Sequence, residues 1–342
     1  MSIPNPSQGI AISQQAAQGF ISLPWAKLPI TIFTGFSSDL VAAAKRDPFV
    51  YRQSPFDIDA LSAQKFIYSH QDNCRGSFSS SSTTADSHFT DHTSVALGVS
   101  VGNEYLNAGV TGTYDKAVLE DRAISKSSIK CTFMCGSVRP FLTPPLSGSA
   151  IAVLREGGLE AFQAVYGDYY VNAFSIGGDS AVLISTSSLD TSITENAKVV
   201  GKVQILCWED EETLLDIAAF EESKHIRFAV TAFDTLTDLF INIPGTDDAS
   251  RGLTVSETKA LAGRYGALTR ELPERIMKPM KALEASLKSG TGEMTFGWDS
   301  VRTVVESGLV MQVVLVPFAR MREVMEVVKS AATDNKSPGV ES

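Results

Sequence analysis

Apolar and polar residues alternate with period two through much of the first two-thirds of the chain. Val95, Leu97, Val99 and Val101 alternate with Ala96, Gly98, Ser100 and Gly102. After Gly102-Asn103-Glu104-Tyr105 the alternation resumes, shifted by one, at Leu106, Ala108, Val110, Gly112 and Tyr114. Such alternation on both sides of a Gly-Asn break predicts a β-hairpin, or one long bulged strand, over 94–114. Strands are likewise predicted at 28–34, 129–138, 169–175, 181–185, 226–232 and 309–316. Val199, Val203 and Ile205 alternate against Lys198, Lys202 and Gln204, which adds a half-buried strand.

Helical spacing appears elsewhere. Leu159, Phe162, Val165 and Tyr166 predict a short amphipathic helix, and 210–223 an acidic one. Thr254-Val255-Ser256-Glu257 is a capping box that opens a helix carrying Leu261, Tyr265, Leu268 and Leu272, with Pro273 as its stop. Further helices are predicted over 279–288 and onward from Pro317. The Ser- and Thr-rich stretch 76–93 cannot bury much apolar surface and is predicted to be a loop or mobile segment. Long strands first and helices mostly later argue for an α+β fold. Residues 1–27 read as a flexible lead, 246–330 as a helical and strand segment packing on the core, and 331–342 as a disordered tail.

Composition narrows the function. The 342 residues are 44% hydrophobic, enough for a sizeable core. No run of 18 apolar residues suggests a membrane-spanning helix. With 29 Lys and Arg against 39 Asp and Glu, the net charge is -10. That argues against general nucleic-acid binding and against simple attraction to anionic lipid. Residues 1–18 carry no basic residue before an apolar stretch, unlike a secretory signal, so a cytoplasmic or non-classically released protein is expected. Cys74, Cys131, Cys135 and Cys207 are expected as free thiols. Four residues along a strand span about 13 Å, so Cys131 and Cys135 cannot bond to each other.

One stretch carries a specific signal. Tyr166-Gly167 ends a predicted helix, Tyr170 follows three residues after the glycine, and six residues later come Gly177 and Gly178. Gly167 can take positive φ and stop the helix, while the paired glycines allow close approach or a sharp bend in a strand. This pattern resembles the signature of the membrane attack complex/perforin (MACPF) superfamily. Tyr166, Gly167, Tyr170, Gly177 and Gly178 match it; Asp168 and Tyr169 depart from its usual Thr-His pair. The segment order over 30–245 is similar as well, with a variable region before the signature and another after it.

The resemblance implies a MACPF-like domain over 28–245: a bent antiparallel central β-sheet flanked by helical clusters. It further implies a non-enzymatic protein without cofactors that oligomerises with its own kind, meets a membrane lipid or receptor, and inserts two regions as β-hairpins. A second targeting protein could recruit it. A membrane-crossing strand needs about 9–11 alternating residues. The candidates for insertion are accordingly Val95, Leu97, Val99, Val101, Leu106 and Val110 in the first region and Val199, Val203 and Ile205 in the second. The competing reading of each stretch is an ordinary half-exposed hairpin.

Two alternatives stay open. The same fold could serve as a non-lytic binding or developmental protein. His70, Cys74, His88 and His92 form a conceivable zinc set, although loop histidines are the simpler reading. No Gly-x-Ser-x-Gly, phosphate-loop, dinucleotide-binding or His-Glu-x-x-His motif supports an enzyme.

Overall fold

The computed structural model describes residues 19–25, 30–42, 47–50, 53–83, 92–94, 109–121, 123, 126–187, 227–243, 252–287 and 295–334. Its centre is a large antiparallel sheet built on three long strands: β4 (Phe66–Thr83), β5 (Lys126–Pro140) and β6 (Tyr169–Ser187). β5 lies between the other two from Lys126 to Val138. The outer edge of β6 is divided. Tyr169–Ile176 pairs with β10 (Val310–Pro317), whose far edge holds β1 (Ile21–Pro24). Ser180–Ser187 pairs with β7 (Arg227–Asp234), which forms a hairpin with β8 (Leu239–Ile243). Gly177 to Asp179 is where β6 changes partner.

The pairing is also irregular there, and the irregularities line up across the sheet. Met134 faces Gly177, but Gly136 faces Ile176, leaving Cys135 as an extra residue in β5. Val310 faces Ile176 and Gln312 faces Ser175, leaving Met311 extra in β10. In β4 the register steps from His70 to Arg75 while β5 advances only from Gly136 to Met134. A bulge bends its strand and sharpens the local twist. Three in one row crease the sheet, separating a half built on 66–70, 136–140 and 169–176 from one built on 75–83, 126–134 and 177–187.

The first half is fully packed. β2 (Gly35–Phe36) pairs with Tyr169–Tyr170 and with β3 (Phe49–Val50), and β9 (Thr295–Phe296) pairs with Phe66–Ile67. The short α1 (Ser38–Ala42) and α2 (Ile58–Ser62), the capped α4 (Gly148–Tyr166), α7 (Trp298–Glu306) and α8 (Arg322–Asp334) surround this half. Leu154, Phe162, Val301, Val304, Val324 and Val327 from these helices are buried in one continuous core with Phe33, Phe66, Phe174 and Leu315. In the second half, α5 (Val255–Arg270) covers one face and α3 (Gly109–Glu120) the other. Helix α6 (Leu272–Leu287) crosses the crease, burying Ile276, Met280, Leu283 and Leu287.

Several expectations need correction. The Ser-rich stretch is strand through Thr83, because backbone pairing to β5 needs no apolar side chains. Residues 110–114 are helical, not half of a hairpin: Val110, Tyr114 and Val118 recur every four residues, which also makes one helix face. Ile30–Thr34 is irregular chain with Phe33 at φ 74. Ile21–Pro24, placed within the flexible lead, is a strand, with Ile21 and Leu23 fully buried on β10. Helix α6 begins at Leu272 and carries Pro279 inside it, so its start lies about two turns before the predicted one. Helix α8 runs through Asp334. The predicted 28–245 and 246–330 blocks share one sheet, since β10 pairs with β6.

Candidate functional site: the crease and the two faces above it

The Tyr166-Gly167 motif closes α4 against β2. Gly167 has φ 86, and its N–H donates to the Gln163 carbonyl at 2.9 Å. A Cβ here would lie 2.3 Å from the Phe36 carbonyl oxygen, so glycine is required by space as well as by φ. Tyr166 is buried against Phe162, with ring centroids 4.9 Å apart. Tyr170 enters an aromatic cluster, 4.9 Å from Phe318 and 5.5 Å from Phe56. The departure at Asp168 has its own partner. Its carboxylate accepts from the Ser38 N–H at 2.8 Å and from the Ser38 hydroxyl, which supplies the first turn of α1 with an acceptor. Burial raises the Asp168 carboxyl above the usual range, against the Ser38 bonds that lower it.

Gly177 and Gly178 sit on the crease, and each has a different neighbour. A Cβ on Gly177 would stand 2.1 Å from the Phe133 carbonyl oxygen and 2.6 Å from Met311 Sδ. The Gly177 N–H donates to the Leu309 carbonyl at 2.7 Å. Gly178 faces α6, where a Cβ would meet Leu272 and Ile276 at 3.1 and 3.2 Å. The pair therefore lets β5, β10 and α6 converge on one point of β6.

Beyond the crease, the strands have two unlike faces. The α5 face carries Ile129, Val182, Val230 and Ala232, buried against Tyr265 and the flanking Leu261 and Leu268. Nearer the crease, the Ser180 hydroxyl lies 2.9 Å from that of Thr269. Beside it, Arg275 of α6 holds Asp234 through two bonds of 2.6 and 3.1 Å. The α3 face, set by the register, carries Ser77, Ser79 and Ser81 of β4, Ser128, Lys130 and Thr132 of β5, Asp179, Ala181 and Leu183 of β6, and Thr231 and Phe233 of β7. Its apolar contact with α3 is small: Tyr114 and Val118 on Ala181, Leu183 and Phe233.

Polar contacts do much of the holding on that face. His92–Ser94 lies between α3 and β5. The Ser94 N–H and hydroxyl each donate to the Asp115 carboxylate at 2.6 Å. The Tyr114 hydroxyl donates to the His92 carbonyl at 3.0 Å, and His92 Nδ1 lies 2.7 Å from Ser128 Oγ. Lys130 Nζ donates to the Thr93 carbonyl at 2.9 Å, and the Thr132 hydroxyl to Asp179 at 2.9 Å. Asp115 and Asp179 are both buried. Burial first, with a contribution from Asp179, raises the Asp115 carboxyl to about 7 despite its Ser94 bonds. Burial likewise raises Asp179 to about 6, opposed by its Thr132 bond and by Lys130.

A long strand, a variable region containing α3, a second strand, the Tyr-Gly helix end, a third strand, a second variable region and a fourth strand follow one another in a creased antiparallel sheet. The fold is α+β, with the segment order that the sequence resemblance implies. No protein-family model matches the sequence, and no curated protein does. Among solved structures, the chain is similar to GNIP1Aa from Chromobacterium piscinae at 12% identity, over 92% of this chain and 56% of that one, with a TM-score of 0.30. Stonustoxin aligns at 8% identity over 91% and 34%, with a TM-score of 0.34. A protein with a MAC/Perforin domain from Bacteroides thetaiotaomicron aligns at 8% over 72% and 64%, with a TM-score of 0.26. The chain spans between about a third and two-thirds of these proteins' lengths.

Of the candidate inserting residues, Val110 lies on α3, half-buried against the Tyr114–Phe233 cluster. Val95, Leu97, Val99, Val101, Leu106, Val199, Val203 and Ile205 lie outside the described residues. The conceivable zinc set is split. His70 pairs with Glu284 of α6 at 2.9 Å, whereas His92 bonds to Ser128. His70 is opposite Gly136, eight residues from Ser128 along β5, or about 26 Å. The Cys74 side chain and His88 lie outside the described residues. Sequence reading missed Asp115, Asp179 and the His92–Ser94 wedge. The available signal was a lone Asp on the same alternating phase as Ala181 and Leu183.

Proposed function

We propose that the protein is a membrane-perforating protein that oligomerises on a target membrane and converts its two variable regions into β-hairpins. The observation that carries this reading is the contrast between the faces beyond the crease. Strands that cross a membrane as a barrel need one wet face and one apolar face. Under α3, β5 and β6 carry Ser128, Lys130, Thr132 and Asp179 beside Ala181 and Leu183; under α5 they carry mostly apolar residues, Ile129, Cys131, Val182 and Ile184, with Ser127 and Ser180 among them. A cover held by a few apolar contacts and several polar ones can leave a polar surface at low cost, because water replaces the lost hydrogen bonds. Both variable regions join the sheet at this same end, following Thr83 and Ser187.

The reading assigns no covalent chemistry and no cofactor. Its partners are further copies of the chain and a membrane lipid or receptor, with a second targeting protein as an optional recruiter. The net charge of -10 supports recruitment through specific or apolar contacts instead of general attraction to anionic lipid.

The test is dye release from vesicles of zwitterionic phospholipid with sterol and with anionic lipid. A variant carrying His92→Cys and Ser128→Cys places two thiols where the side chains now touch. Oxidation should block release and reduction restore it. Release that is indifferent to the closed disulfide would remove the first region from the mechanism. A chain that remains monomeric and inert on every membrane tested would instead support the non-lytic binding role.

A further inference from the structure

The polar layer beneath α3 holds more charge than a structural cover requires. Uncharged amides could accept the same bonds from Ser94 and Thr132, yet two carboxylates stand in a buried layer facing, among the described residues, the single lysine Lys130. We propose that this layer is a charge-sensitive clasp: α3 and the His92–Ser94 wedge stay docked while the Asp115 and Asp179 carboxyls are neutral, and undock more readily once both are ionised. The inference rests on the proposed function only for its purpose; docking itself is a property of the folded chain.

The geometry supplies the clasp. Asp115 is the link from α3 to Ser94, and Ser94 follows two residues that bond to β5 through Ser128 and Lys130. Together with the Tyr114 bond to the His92 carbonyl, the Asp115 contact makes the helix and the wedge dock as one unit, so the cost of burying its charge falls on both. Among the described residues the facing groups can be enumerated. From α3 come Asp115, the buried Tyr114, and Lys116, which is paired with Glu120 at the surface. The wedge supplies His92. β5 supplies Lys130, with Lys126 directed to the Asp121 carbonyl. β6 supplies Asp179. On the opposite face of β7, Asp234 is already neutralised by Arg275. The described residues of β8 contribute no ionisable side chain.

The sign follows from burial. Asp115 is shifted up to about 7 and Asp179 to about 6, so the docked state prefers the protonated forms. The undocked state, in water, ionises them near 4. Raising the pH through this window therefore favours undocking, by up to about tenfold per pH unit for each carboxylate. Acid holds the clasp shut, and neutral pH loosens it.

Hydrogen exchange of the 342-residue chain in solution, followed by mass spectrometry, tests this without any membrane. After correction for intrinsic rates, α3 should lose at least about tenfold of its protection between pH 5.5 and pH 7.5, while α5 on the opposite face stays constant. Asp115→Asn keeps the acceptor for the Ser94 N–H and removes the charge, so it should flatten the dependence; His92→Gln should leave it in place. Equal behaviour of α3 and α5 in the wild type would overturn the clasp. So would an unchanged dependence in Asp115→Asn, or its loss in His92→Gln alone. Vesicle leakage is scored separately. A pH-dependent α3 without leakage leaves the clasp standing and removes the pore; leakage with a pH-independent α3 does the reverse.

Discussion

The backbone of Gly177 approaches that of Phe133 so closely that a Cβ on the glycine would stand 2.1 Å from the phenylalanine carbonyl oxygen. This contact lies in the row of bulges where β6 exchanges β10 for β7 as its neighbour. The crease thus has a steric signature at a single residue. Gly177→Ala must push β5 or β10 aside and is expected to cost about 2–4 kcal/mol in chemical denaturation. Gly178→Ala meets only the side-chain tips of Leu272 and Ile276 and should cost less than about 1.5 kcal/mol. Equal losses at the two positions would refute the steric account.

Asp168 is the acceptor for the first N–H of α1. Asp168→Ala removes both Ser38 bonds and should lower stability by about 1–2 kcal/mol, read as a shift in denaturation midpoint. Asp168→Asn keeps an acceptor and should lose less. Because burial raises the wild-type carboxyl, its ionisation works against folding as pH rises through the raised value. The Asn variant should therefore gain ground on the wild type toward neutral pH.

Arg275 and Asp234 tie α6 to β7 across the α5 side of the crease. Asp234 is buried and also accepts from the Thr237 N–H and hydroxyl at 2.9 Å each. Arg275→Met would strand a buried carboxylate and is expected to cost about 3 kcal/mol. The double variant Arg275→Met, Asp234→Asn should recover part of that loss. No recovery would mean that the arginine acts by packing alone.

Asp115 and Asp179 also predict the pH course of global stability. The unfolded chain releases these protons near pH 4, while the folded chain holds them to about 6 and 7. Between those limits the folded state binds more protons, so the two groups lower stability as pH rises. Asp115→Asn should have a flatter profile between pH 4.5 and 7.5 in denaturant titrations. A steeper profile would contradict the sign.

Parts of the site were legible because a single residue's chemistry forced them. A glycine after Tyr166 was expected to take positive φ, and it does. The Thr254–Glu257 capping box forms with both reciprocal bonds. Other parts were illegible because one spacing fits two structures. Val110 and Tyr114 satisfy period two and a four-residue helical step equally, and only the docking of Tyr114 on Phe233 selects the helix. Ser77–Thr83 lacked any apolar pattern, yet β5 supplies its hydrogen bonds.

Alternation marked strand segments such as 129–138 and 226–232, and the glycine after Tyr166 marked where one helix must stop. Those are local consequences of backbone sterics and side-chain phase. Which strand lies beside which, the alignment of three bulges into one crease, and the meeting of Asp115 with Ser94 and of Lys130 with Thr93 were decided by the tertiary structure. These contacts join residues distant along the chain, and register sets them: a slip of one residue would turn Lys130 and Asp179 to the opposite face.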